Sequence, residues 1–176
     1  AFCWTSAPPT VTGAIAPALV ATADGFALAF GDGDDVWVQR LGAMGTPADA
    51  MAQRVVAGAD AMGTQDQPAV AFAPATGSTD PALLVAWRDG GPSGDGDGSA
   101  VRARAFAAAD ASPLGEALVV NTTTGGDQVT PAATGGVGEL SGSAFARFAV
   151  TWRHGAGAIR GRMLDAEGDP AFNREP

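Results

Sequence analysis

Residues 101–106 run Val-Arg-Ala-Arg-Ala-Phe, and residues 159–162 repeat the alternation as Ile-Arg-Gly-Arg. An apolar residue at every second position predicts a strand with one face buried and one in water. The stretch 83–131 holds one whole unit of this kind. An apolar strand ending in Trp87 leads into an acidic glycine loop; then come the alternating strand, a turn at Pro113, the run Val-Val-Asn-Thr at 119–122, and Gln128-Val-Thr-Pro131. Partial copies flank it, FALAFGDGDDVWVQRLGAMGTP upstream and FARFAVTWRHGAGAIRGRMLDAEGDP downstream.

Aligned by eye, Phe30, Trp87 and Trp152 end the second strand of each copy. Arg40, Arg104 and Arg162 sit late in the third, and Pro47, Pro113 and Pro170 close the turn after it. The spacings between copies are uneven, which places insertions in surface loops and leaves the strands intact. Asp24-Gly25 reads as a hairpin turn before a strand at 26–30. Residues 54–57 read as a strand rather than as part of a helix, because the repeat requires one there and Val55-Val56 is β-branched. The pattern predicts an all-β chain of roughly 10 to 12 strands in three four-stranded antiparallel units. The units are 13–66, 67–127 and 128–176, the last stopping before its outer strand. Residues 1–12, with Phe2 and Trp4, are the candidate closing strand, placed against 158–164.

Composition narrows the reading. The chain of 176 residues is of single-domain length, and 46% hydrophobic content suffices for a core. A net charge of −9, with every basic residue an Arg, lacks the basic footprint that nucleic-acid binding needs. No apolar run reaches the length of a membrane span. The start at Ala1, without Met or a signal-peptide pattern, reads as a processed chain or a fragment, in keeping with export. Cys3, the one cysteine, reads as a buried small hydrophobe or as a bridge to another chain.

The segments VRARAFAAADASPLGEALVVNTTTGGDQVTP and FARFAVTWRHGAGAIRGRMLDAEGDP resemble a four-stranded repeat of large secreted bacterial proteins, calcium-binding and adhesin-like ones among them. In that family the repeats resemble propeller blades. The resemblance covers about 26–170 and weakens in the first copy, where Phe30 replaces Trp and Val-Asn-Thr is missing. It implies a partial β-propeller, or half of an oligomeric one, at the bacterial cell surface or outside the cell. It also implies self-association or a partner chain that completes the ring.

Candidate chemistry falls at repeated positions. Asp32, Asp34 and Asp35 in one loop, and Asp89, Asp95 and Asp97 with Ser99 in the next, offer the hard oxygens that calcium takes, although Asp-Gly is also ordinary turn chemistry. Calcium is the one cofactor these loops suggest. Arg104 and Arg162, with Arg40, read either as an anion-binding ring or as stems lying along a wet face. Trp87 and Trp152 would be sugar-stacking platforms if exposed and core residues if not. His154 takes the loop position of Asp32 and Asp89, without a second metal ligand at suitable spacing. TTTGGDQ lacks the Gly-Lys-Ser/Thr ending of a phosphate loop. No catalytic constellation emerges, since the chemistry-bearing residues recur one per copy instead of converging. The reading is a non-enzymatic extracellular binding or assembly module, directed at carbohydrate or a cell surface. The alternatives are a propeller-type hydrolase or lyase fragment and a subunit that completes the sheet of a larger complex.

Overall fold

The computed structural model describes residues 15–77, 79–92, 94–140 and 143–170. They form three antiparallel sheets. The first is β1 (Ile15–Ala21), β2 (Gly25–Gly31), β3 (Val36–Gly42) and β4 (Gln53–Arg54), paired in that order. The second repeats it with β5 (Gln65–Ala73), β6 (Ala82–Asp89), β7 (Ala100–Ala107) and β8 (Leu118–Val119). The third has three strands, β9 (Gln128–Leu140), β10 (Ser143–His154) and β11 (Ala158–Asp165), with β10 in the middle. The expected all-β class and three antiparallel units are present, with three strands in the last. The candidate closing strand at 1–12, and Cys3 within it, lie outside the described residues.

Each unit opens with the same irregularity. Ala16, Gln67 and Thr130 have φ of 49°, 51° and 52°, and each directly precedes a proline, Pro17, Pro68 or Pro131. The residue before a proline is pushed out of the right-handed helical region, and here it takes the left-handed one. The ladder register shifts at these points in all three sheets, between Ile15 and Ala18, between Asp66 and Ala69, and opposite Thr151–Arg153. Such bulges bend the opening strand and increase its twist. The bent opening strands lie side by side, β1 against β5 and β5 against β9. Crowding there is severe enough that a Cβ on Gly135 would collide with the Phe72 carbonyl.

Two hydrophobic cores lie between the sheets. One joins the first sheet, through Ala27, Ala29, Val36 and Val38, to Leu83, Val85, Trp87 and Phe106 of the second. The other joins Leu84, Ala86, Val101 and Ala103 of the second to Phe148, Val150, Trp152 and Leu164 of the third. The pattern is close to the same at both: mostly small and β-branched residues of one sheet, with Leu84 the exception, receive the bulky residues of the next. Backbone ties repeat as well. Gln65 N–H donates to the Asp34 carbonyl at 2.9 Å and Gln128 N–H to the Ser99 carbonyl at 2.8 Å.

Three expectations change. The middle sheet is covered on both sides, so β6 and β7 are buried along nearly their whole length rather than on alternate residues. Position two in the alternation specifies a side, not a solvent. The strand expected at 54–57 reduces to Gln53–Arg54, followed by a short 3₁₀ turn at Gly58–Ala61. Arg40 is not the counterpart of Arg104 and Arg162. The bridges Leu41–Pro47, Phe106–Pro113 and Leu164–Pro170 fix the register and make Gln39 their equivalent. The second turn is one residue longer than the first, and a slip of one residue moves a side chain to the opposite face. Arg40 therefore faces the second sheet, where it donates to the Ala108 carbonyl.

Candidate functional site

The register places Phe30, Trp87 and Trp152 opposite Trp37, Arg102 and Arg160. Trp87 and Trp152 are fully buried, so neither offers a ring face to a sugar. Burying an aromatic of this size removes ~150 to 250 Å² from water. At about 25 cal/mol per Å² that is worth up to about 4 to 6 kcal/mol. Structure alone accounts for both tryptophans.

The acidic loops spend their carboxylates on local donors. Asp32 accepts from the backbone N–H groups of Asp34 and Asp35, at 3.2 and 2.9 Å, and from the Trp37 indole at 2.8 Å. Burial pushes its carboxyl up, but these bonds outweigh that and hold it below the ordinary aspartate range. Asp35 pairs with Arg54, and Asp34 is exposed. In the second loop Asp95 accepts from Asp97 N–H at 3.3 Å and from the Asn121 amide, while Asp97 accepts from Gly126 N–H at 3.2 Å. Among the described residues no three His, Cys, Asp or Glu side chains converge in a way that could hold a metal ion.

The arginines tie one sheet to the previous one. Arg104 Nη1 donates to the Val55 carbonyl of the first sheet at 2.9 Å, and Arg162 Nη1 to the Val120 carbonyl of the second at 2.9 Å. Val55 and Val120 are equivalent, each directly following the two-residue outer strand. Neither arginine is aimed at a shared anion site. The cleft bordered by Arg40, Phe26, Phe72 and Pro81 is small, about 150 Å³. Arg40 is held there by both carboxylate oxygens of Asp49, at 3.2 and 3.0 Å from Nε.

The burial of two sets of polar residues was not foreseen from the sequence. Asp89 is fully buried and pairs with Arg102, Oδ2 to Nη1 at 3.3 Å. The same two positions hold Asp32 and Trp37 in the first sheet, joined by the indole hydrogen bond. In the third they hold His154 and Arg160, and Arg160 donates to the Thr123 hydroxyl of the second sheet. Gln65 and Gln128 are the other pair. Each caps the loop before its strand, Gln65 through the Met62 and Gly63 carbonyls and Gln128 through those of Gly125 and Gly126. The repeated Gln-x-x-Pro spacing was the available signal.

These two glutamines differ at Oε1. Asn121 donates to Gln128 Oε1 at 3.1 Å and accepts from Val101 N–H at 2.9 Å. The first sheet has Val56 in that place, and Gln65 Oε1 has no donor there. Asn121→Val should therefore orphan two buried groups. Each such group costs about 1 to 3 kcal/mol, partly offset by the added apolar burial. A net loss of about 1 to 3 kcal/mol by urea unfolding is expected, and no loss would show that Asn121 is not the tie that the geometry makes it.

Two exposed apolar side chains, Ile159 and Leu19, stand where the equivalent residues of other sheets are buried. Val36, Val101 and Ile159 are equivalent, and all three point toward the following sheet. The two valines are fully buried, whereas Ile159 is 72% exposed. At the other end Leu19 is equivalent to Val70, since each lies opposite the middle residue of its bulky row, Leu28 or Val85. Val70 is 7% exposed and Leu19 is 60% exposed. No family model matches the chain, and no curated protein resembles it significantly.

Proposed function

We propose that the chain is a non-enzymatic extracellular module of β-propeller type, three blades that bind by stacking their end faces on further blades. The observation that carries this reading is Ile159. It stands at a position that its two counterparts bury completely, on a face of the same design as theirs. Support of a second kind comes from the polar residues. Asp32 serves a turn, and Arg104 and Arg162 serve inter-sheet ties, so the architecture accounts for them. No helix of the described residues is long and apolar enough to cross a membrane.

Site-resolved thiol labelling tests the reading. Ile159→Cys is placed in the full chain, recovered from the producing cells, and compared with Met44→Cys, at an 82% exposed position in a turn. Labelling is read peptide by peptide, so that Cys3 is counted apart. Modification at 159 should be about tenfold or more slower than at 44, because burial blocks the reagent. Equal rates would mean that the face meets only water.

A further inference from the structure

We infer that the outer edge of β11 is a docking site for one more strand, an extended aliphatic segment with an acidic residue beside it, contributed by another polypeptide. The inference rests on the assembly reading above and names the class of partner that covers Ile159. The first two sheets supply the template. In each, the third strand is closed by a two-residue outer strand, Trp37 and Val38 pairing with Arg54 and Gln53, and Arg102 and Ala103 with Val119 and Leu118. The residue that follows then turns onto the core. Val55 N–H donates to the Val36 carbonyl at 2.9 Å, and Val120 N–H to the Val101 carbonyl at 2.8 Å. Val55 and Val120 are fully buried, each in one core with the valine it bonds.

β11 offers the same three receiving positions, Ile159, Arg160 and Gly161. Among the described residues it is the last strand of its sheet, with β10 on one side and no strand on the other. Both described outer strands, β4 and β8, are committed to their own sheets. Ile159 is 72% exposed where Val36 and Val101 are sealed. An open edge invites strand addition, in which main-chain hydrogen bonds give affinity and side-chain positions give selectivity. The surrounding charges are compatible with it. Arg153, in register with Ile159, takes the place of Arg88, which borders Val101 and leaves it buried. Arg147, at the place of Ala82, is in register with Asp165 at the far end of β11. Residues 152–163 hold three arginines and no acid, so an incoming segment gains from a carboxylate, such as the one Glu116 sets beside Leu118 in the template.

The test titrates the full chain into a fluorescent peptide with the sequence of residues 115–123, Gly-Glu-Ala-Leu-Val-Val-Asn-Thr-Thr, and reads anisotropy. Saturable binding is expected. It should weaken about tenfold or more with Ile159→Arg in the chain, and equally with Val120→Asp in the peptide, because each removes the burial of an aliphatic side chain. Position 159 is mostly exposed, so the chain variant should keep the wild-type circular dichroism, and the peptide variant needs no refolding. Amide hydrogen exchange of the chain should slow at 159–161 when the peptide is bound. Absence of saturable binding overturns the inference, whether the edge rejects strands or residues 1–12 already fill it. Binding that both substitutions leave unchanged, or protection that appears elsewhere, also overturns it. The labelling at position 159 decides the assembly reading separately. If 159 is protected in material from the producing cells but the peptide does not bind, stacking stands without the added strand; if neither is seen, both fall.

Discussion

Trp87→Ala should cost about 3 to 5 kcal/mol of unfolding free energy, the range for truncating a large aromatic in a packed core. Trp87 has no exposed surface and sits in the core between the first two sheets, among Val85, Phe106 and Val56. Domains are stable by only about 5 to 15 kcal/mol, so one truncation removes about a fifth or more of the total. For a chain of this length each kcal/mol moves the melting point by about 2 to 4 °C, giving a fall of about 6 to 20 °C. Trp152→Ala, in the matching core between the second and third sheets, should behave alike. Trp87→Phe should be much milder, because the indole N–H of Trp87 makes no hydrogen bond that the substitution would break. A scanning-calorimetry shift below about 3 °C for Trp87→Ala would mean that the junction between the sheets is not packed as described.

Much of the architecture was legible in the sequence because strands and turns are local. The hairpin at Asp24-Gly25 forms, with Thr22 N–H donating to the Gly25 carbonyl at 2.9 Å. Phe30, Trp87 and Trp152 occupy one place in the register, as their strand-end position indicated. Arg40 was misplaced because turn length cannot be counted from prolines alone: six positions separate Leu41 from Pro47, but seven separate Phe106 from Pro113. A single added residue reverses which sheet a side chain meets.

The burial of charge was not legible, because it depends on what lies across the sheet. Arg102 and Arg104 share the local pattern of alternating Arg and Ala, yet Arg102 is buried at 3% exposure and Arg104 reaches the edge. Arg104 donates to the Gly115 carbonyl, at 2.8 Å, and its guanidinium lies 5.9 Å from the centre of the buried Phe106 ring. Arg102 sits beneath Asp60 of the 3₁₀ turn, a segment contributed by the first sheet's connection. Asp89 follows Trp-Arg just as Asp32 follows Phe-Gly, and each opens a glycine loop. Asp89 is sealed and pairs with the Arg102 guanidinium, whereas Asp32 is half-exposed and accepts from the Trp37 indole.

Arg102→Ala should be the most destabilising single polar change in the chain, at about 3 to 5 kcal/mol, as is usual when one partner of a buried ion pair is removed. The guanidinium holds Asp89 from one side at 3.3 Å and reaches the Asp60 and Ala117 carbonyls at 3.3 and 3.2 Å. It also lies 5.8 Å from the centre of the Trp87 ring. Its loss strips a buried carboxylate of its cation and loosens the first sheet's connection from the second sheet together. Asp89 keeps the Gly91 N–H at 2.7 Å, which orients it without neutralising it. Neutralising both partners, as Arg102→Met with Asp89→Asn, should recover most of the stability, since a buried pair replaced by uncharged groups of similar volume is often neutral. The double-mutant cycle separates the two contributions. A coupling of about 2 kcal/mol or more would assign the cost to the stranded charge. Near-additive losses would instead assign it to packing against Trp87, and the ion pair would then be incidental to how the first two sheets are held together.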